Sequence, residues 1–307
     1  MITDKTDILV PNSKDLSYFI RLMESRPSDA PDHSAKKWDK RAELWEKEYM
    51  NNRKGDRRIL SALNFLEQRG LLTEETDMAD IGCGPGRFAA AFAPKVKSVV
   101  GLDISEKMVY YGTEYLKSKG INNAKLCVCD FQTLDIDKAG FKNAFDIVFS
   151  SMTPAIHGLN GLMKSMEMSR AWCLHITHLS GKNSLQDRIS EEVFGKKAAV
   201  KWTGLWFYAL FNTLYLMGYN PEISYETQCK EISLIPDGNY AEFITEQLSY
   251  DGEPTAENRE KVLKWLKANA DENGFIKEVT ESRYGRILWN INDKTERPDY
   301  RTMEEGV

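Results

Sequence analysis

The chain has no apolar run long enough to cross a bilayer, no block of like charge and no C-x-x-C pair. Its longest apolar stretch, Gly204 to Met217, is fourteen residues, against roughly 20 for a spanning helix, so it reads as a buried helix. Residues 1–18 are polar and mixed in charge, without the apolar core of a secretion signal, and the chain is expected in the cytoplasm. The 41 Lys and Arg against 46 Asp and Glu leave a net charge of −5. That balance gives no field to draw in nucleic acid or a membrane surface, so neither is an expected partner. Five cysteines are an odd number and well spread, which fits reduced thiols rather than a disulfide framework. Repeats and low-complexity tracts are absent as well.

What is there suffices for one large α/β domain with an insertion: 307 residues, 42% hydrophobic. A proline-punctuated arm with one short helix around Leu16 to Met23 precedes a helical pattern in which Trp38, Ala42, Trp45 and Tyr49 share one face. A second helix, 57–69, stops at Gly70. Short apolar runs and helical segments then alternate: strands at 78–81, 98–102, 124–129, 145–150 and 172–179, with helices from 87, over 107–119 and over 162–171. Runs such as Ile147-Val148-Phe149 are apolar on both faces, which predicts a mostly parallel sheet covered by helices. The Gly204 to Met217 helix would lead to a strand at 219–225 and a last strand at 285–291. The expected fold is therefore α/β, Rossmann-like and doubly wound, with seven strands. Its divisions would be an N-terminal arm and helical cover at 1–56, a core at 57–225, a mostly helical insertion capping the substrate at 226–284, and a last strand and tail at 285–307.

The segment Asp80-Ile81-Gly82-Cys83-Gly84-Pro85-Gly86-Arg87 sets three alternate glycines between a strand and a helix. A chain that turns sharply there and lets a ligand approach the backbone needs residues without a Cβ, and the N–H groups at the helix start can meet an anion. The next strand ends in Asp103, whose carboxylate can accept both hydroxyls of a ribose. The third ends in Cys129-Asp130-Phe131, where Asp130 can accept from an adenine amino group and Phe131 can cover the ring.

Through D-I-G-C-G-P-G-R-F, L-D-I-S, C-D-F and F-D-I-V-F-S-S-M, in that order over residues 78–152, the chain resembles the class I S-adenosylmethionine-dependent methyltransferases. The resemblance implies that Asp80, Gly82, Cys83, Gly84, Pro85, Gly86 and Arg87 form the loop around the methionine part of S-adenosylmethionine. Asp103 would hold the ribose, Ile104 and Met108 flank the adenine, and Asp130 with Phe131 complete that end. Ser151 and Met152 would line the floor near the reactive methyl, with S-adenosylhomocysteine as product. The helix carrying Trp38 looks like the N-terminal cover of members that act on small molecules. A nicotinamide- or flavin-binding oxidoreductase fits less well, because Arg87 stands where the G-x-G-x-x-G fingerprint puts its last glycine.

The implied activity is methyl transfer by in-line displacement to O, N or S of a small-molecule acceptor, by a monomer or homodimer. A methyltransferase acting on protein or RNA is the alternative. Positioning alone can remove on the order of 7–11 kcal/mol of barrier, so a base is needed only for a hydroxyl acceptor. Candidates for it are His157 first, then Asp39 and Tyr49. Ser151-Met152-Thr153-Pro154 replaces the N-P-P-Y or D-P-P-Y of members that methylate amide or nucleobase nitrogens. In C-L-H-I-T-H, strand alternation sends Cys173 and His175 to one face and His178 to the other, so this reads as a core strand and no metal is expected. The aromatics from Trp202 to Tyr215, Trp206 and Tyr208 among them, are core or an apolar wall for the acceptor.

Overall fold

The computed structural model describes residues 14–25, 34–36, 38–39, 42, 57–197, 201–248 and 255–297. Trp45 and Tyr49 lie outside them. The described elements run α1 (Lys14–Glu24), α2 (Arg57–Glu67), β1 (Asp77–Ile81), α3 (Arg87–Phe92), β2 (Ser98–Asp103), α4 (Glu106–Ser118), β3 (Ala124–Val128), β4 (Phe145–Ser151) and α5 (Gly158–Met168). Next come β5 (Ser169–Asn183), α6 (Ser184–Glu192), β6 (Lys201–Trp202), α7 (Leu205–Leu216), β7 (Glu222–Leu234), α8 (Gly238–Leu248), α9 (Ala256–Ala268) and β8 (Ile276–Asn290).

The sheet order is β3-β2-β1-β4-β5-β8-β7, the seven strands expected, with the two-residue β6 paired antiparallel to β5 as an eighth. The pairs β1/β2, β2/β3, β1/β4 and β4/β5 are all parallel. Strand order reverses at β1, which has β2 on one side and β4 on the other. In open α/β sheets that reversal opens a crevice at the carboxyl ends of the strands.

Several boundaries differ from the sequence expectation. The helix expected at 162–171 is α5, which ends at Met168, because Ser169 already pairs with Phe145. The strand expected at 219–225 is β7, starting at Glu222, and the last strand begins at Ile276 rather than Gly285. The expected insertion thus holds α8 and α9 between long strands instead of being mostly helix.

The chain divides into two compact units. One comprises residues 1–177, 205–224 and 285–307, the other 178–204 and 225–284. The second has its own core of Leu185, Ile189, Ala241, Ile244, Val262, Leu266 and Ile276. In the first, Phe92 and Phe149 are fully buried with ring centroids 5.1 Å apart, and Phe88 lies 4.9 Å from Phe149, which seats α3 on β4. Each ring removed from water contributes about 1.5–3 kcal/mol. Helix α1 packs on α7 and α5.

The amino ends of the parallel strands are clamped by one arginine. Arg170 makes a two-pronged contact with Asp146 (2.9 and 2.8 Å) and reaches Asp77 at 3.0 Å, while Ser98 and Lys97 also donate to Asp77. Burial pushes both carboxyls up, but Ser98, Arg170 and Lys97 at Asp77, and Arg170 with the Asp77 amide at Asp146, outweigh it and hold both below the usual range. A depressed carboxyl contributes stability that is present above its unfolded pKa and lost as pH falls through its folded one. Arg170→Ala is expected to cost about 1 kcal/mol at neutral pH, screened because these groups are partly exposed. The loss should shrink as pH is lowered below about 4, where the aspartates protonate in either state. Urea titrations of both proteins at neutral and acid pH would show a constant difference if the clamp were inert.

Candidate cofactor site

At the end of β1 the amides of Gly82 and Cys83 both donate to the Leu102 carbonyl, at 2.7 and 3.1 Å, bending the chain over β2. Gly82, Gly84 and Gly86 have φ of 71°, 52° and 67°, left-handed values that favour glycine. At Gly82 the space is closed too: a Cβ there would stand 1.9 Å from Thr153 Oγ1. Thr153, in the turn after β4, therefore rests on the first glycine of the loop.

Asp103 faces this turn. Its Oδ2 accepts from the Gly84 amide at 2.8 Å and its Oδ1 from the Ser105 amide at 2.9 Å. Burial raises its pKa against those hydrogen bonds, with Asp39 adding like charge. Ser105 caps α4, accepting from the Met108 amide at 3.1 Å and donating to Asp39 Oδ1 at 2.5 Å. Asp39 also accepts from the Lys107 amide, so the described part of the N-terminal cover places a carboxylate on the positive end of α4. This engages the Asp39 named as a base candidate in helix capping.

Asp80 is 2% exposed, and its Oδ2 has no hydrogen-bond partner. Burial, aided by the nearby Asp103 carboxylate, pushes it up to about 8. A buried polar atom without a partner marks a place where a donor is missing.

The other expected residues differ in burial and in their partners. Cys83 and Met108 are buried, while Pro85 and Ile104 are half-buried. The Arg87 side chain lines a groove with Ile59, Leu60, Ala90, Ala91, Pro94, Tyr115 and Lys119. Asp130 is exposed and accepts from the Gln132 amide. Phe131 is 2% exposed, its ring 5.4 Å from Lys164 Nζ. Ser151 Oγ is buried without a partner. Met152 has φ 54°, unusual outside glycine, and its amide donates to the Ile176 carbonyl at 2.9 Å. Trp38 is half-buried on its helical segment. His157 is the N-cap residue of α5 and makes no side-chain capping bond. His175 Nδ1 pairs with Ser150 Oγ at 2.8 Å, and burial takes its pKa down to about 3. Among the described residues, no group of three His, Cys, Asp or Glu is gathered as metal ligands.

Four features escaped the sequence reading: Thr153, Gly101, Gly112 and Leu126. A Cβ on Gly86, Gly101 or Gly112 would come within 2.8, 2.5 and 2.5 Å of Leu126 methyls, so one β3 leucine fills the space beside three glycines. Glycine inside a strand and inside a helix is itself a sign of close approach, and that sign was present at 101 and 112.

A strand order reversing at β1, a glycine turn over its end and an acid on the neighbouring strand define a Rossmann-like α/β fold. Residues 72–172 match the family model described as a methyltransferase domain. Over 75 residues the chain is 32% identical to the uncharacterized methyltransferase YcgJ of Bacillus subtilis, a stretch covering 24% of this chain and 28% of that protein. The crystal structure of YcgJ aligns with 77% of this chain and 99% of its own at 15% identity and TM-score 0.44. An N-methyltransferase 2 of Haemonchus contortus, solved with phosphomonomethylethanolamine and S-adenosylhomocysteine, aligns with 77% of this chain and 52% of its own at 16% identity and TM-score 0.43. Among the described residues, no helix is long and apolar enough to cross a membrane.

Proposed function

We propose that the protein is a cytoplasmic S-adenosylmethionine-dependent methyltransferase acting on a small molecule. The observation that carries the reading is the pairing of two acids at the glycine turn: Asp103 bridging to the Gly84 amide, and Asp80 buried with an unpaired oxygen. S-Adenosylmethionine supplies a methyl group on a sulfonium. The residues present suit such a ligand, because Asp103 has the geometry to accept from ribose hydroxyls and Asp80 lacks the donor that an amino group would provide. The left-handed glycines let the chain turn sharply at the end of β1. Transfer then depends on holding the acceptor in line and excluding water. Ser151, Met152 and Thr153, next to the turn, are the residues placed to shape that floor.

Calorimetry with S-adenosylhomocysteine tests the reading. Asp103→Ala is expected to weaken binding by about 3 kcal/mol, on the order of 100-fold, through loss of two hydrogen bonds to a charged acceptor. Undiminished affinity would remove Asp103 from the site. Incubation with methyl-labelled donor and cell extract should place label in the small-molecule fraction. Label on protein or RNA would reject the small acceptor, and binding of NAD in place of the methyl donor would reject methyl transfer.

A further inference from the structure

The buried carboxyl of Asp80 has a consequence for binding that rests on the cofactor reading above. On β1, Asp80 pairs in register with Gly101 of β2 and Phe149 of β4, neither of which offers a side-chain polar group. The charge that acts on it is the carboxylate of Asp103, itself next to Asp39. The glycine turn contributes Cys83, a buried thiol whose pKa is raised well above its ordinary value by burial and then by Asp80 and Asp103. From α3, Phe88 and Phe92 pack on Phe149, while Arg87, the helix's one charged residue, lines the groove with Leu60 and Lys119. Beyond Phe149, β4 adds the uncharged Ser151. Among the described residues of these elements, no cation faces Asp80.

An ionised carboxylate shut away from water without a donor costs several kcal/mol and lowers that cost by taking up a proton. An ammonium arriving within hydrogen-bond reach reverses the preference. We propose that Asp80 carries a proton while the crevice is empty and gives it up to solvent when the cationic amino-acid end of the methyl donor arrives, so that binding releases one proton. The raised pKa of about 8 agrees with this arrangement. Asp80 is then a pH-dependent receptor for the ligand's ammonium, and the cofactor binds more tightly in mildly alkaline solution than in acid.

Calorimetric titration of the full-length protein with S-adenosylhomocysteine in phosphate and in Tris, both at pH 7, reads the effect. The two apparent enthalpies should differ by the buffers' ionisation heats multiplied by close to one released proton. Affinity should rise about tenfold per pH unit between pH 6 and 7 and level off above about pH 8.5. Asp80→Asn mimics the protonated carboxyl and should abolish both effects, whereas release from the ligand's own amine would survive it. If that variant fails to fold, the pH dependence of the wild type still decides. Tight binding with equal heats and flat affinity overturns the proton release and leaves the cofactor reading standing. Absence of binding at every pH overturns the cofactor reading, and the proton release with it.

Discussion

Gly82→Val is expected to abolish binding of S-adenosylhomocysteine and to lower the unfolding temperature by several degrees. Two costs combine at this position. The backbone sits at φ 71°, where a β-branched residue is strained by about 1–2 kcal/mol. The new Cβ would also stand 1.9 Å from Thr153 Oγ1 and 2.5 Å from Thr153 Cβ. That overlap is not with the free end of a long side chain. It forces back the segment Met152 to Pro154, and such overpacking costs about 1–3 kcal/mol more. The clash can be separated from the strain: Gly82→Ala combined with Thr153→Gly should recover part of the loss seen in Gly82→Ala alone, a coupling that a double-mutant cycle measures. A Gly82→Val protein binding within threefold of wild type would sink the placement of the ligand over this turn.

Gly112→Ala is the second large effect, and its sign is the informative part. In a helix interior alanine is favoured over glycine by roughly 1 kcal/mol, so propensity alone predicts a more stable protein. The added methyl, however, would lie 2.5 Å from Leu126 Cδ1 and 2.9 Å from the Pro85 carbonyl carbon. Leu126 can swing aside, whereas Pro85 belongs to the glycine turn and can yield only by moving it. Packing should win, giving a net destabilisation of about 1–2 kcal/mol with weaker cofactor binding. Pairing the change with Leu126→Ala should not restore affinity, because the contact with Pro85 remains. Chemical denaturation and calorimetry test this; a stabilised Gly112→Ala protein with unaltered affinity would show that α4 does not press on the turn.

The parts legible in the sequence were those governed by local rules. Short apolar runs marked β1, β2 and β4, which lie inside the sheet, whereas β3 at its edge exposes Lys125 and Val128 and was readable from its place in the alternation of strands and helices. The three glycines and Asp103 were readable because a tight turn beside a strand-end acid has few other uses. Boundaries were lost where pairing decides them: Ser169 is no stronger a strand former than its neighbours, yet it begins β5 by meeting Phe145. Likewise β7 and β8 extend far beyond their apolar portions, with polar residues such as Glu226, Lys230 and Lys277 carried along by the ladder. At the site, Thr153 and Leu126 owe their roles to what lies across from them, which spacing along the chain does not encode. The Asp39 capping bond to Ser105 spans 66 positions and could not be inferred from either end.

The family match stops at residue 172, shortly after β5 begins, and starts well after Asp39. A fragment trimmed to those limits would strip Cys173 to Ile176 from alongside Val148 to Ser151, exposing the backbone of an Ile-Val-Phe strand as a template for aggregation. It would also leave the Ser105 hydroxyl without its acceptor. Shortened versions made for crystallography or screening should therefore retain both Asp39 and the whole of β5, even though neither falls wholly within the recognisable domain.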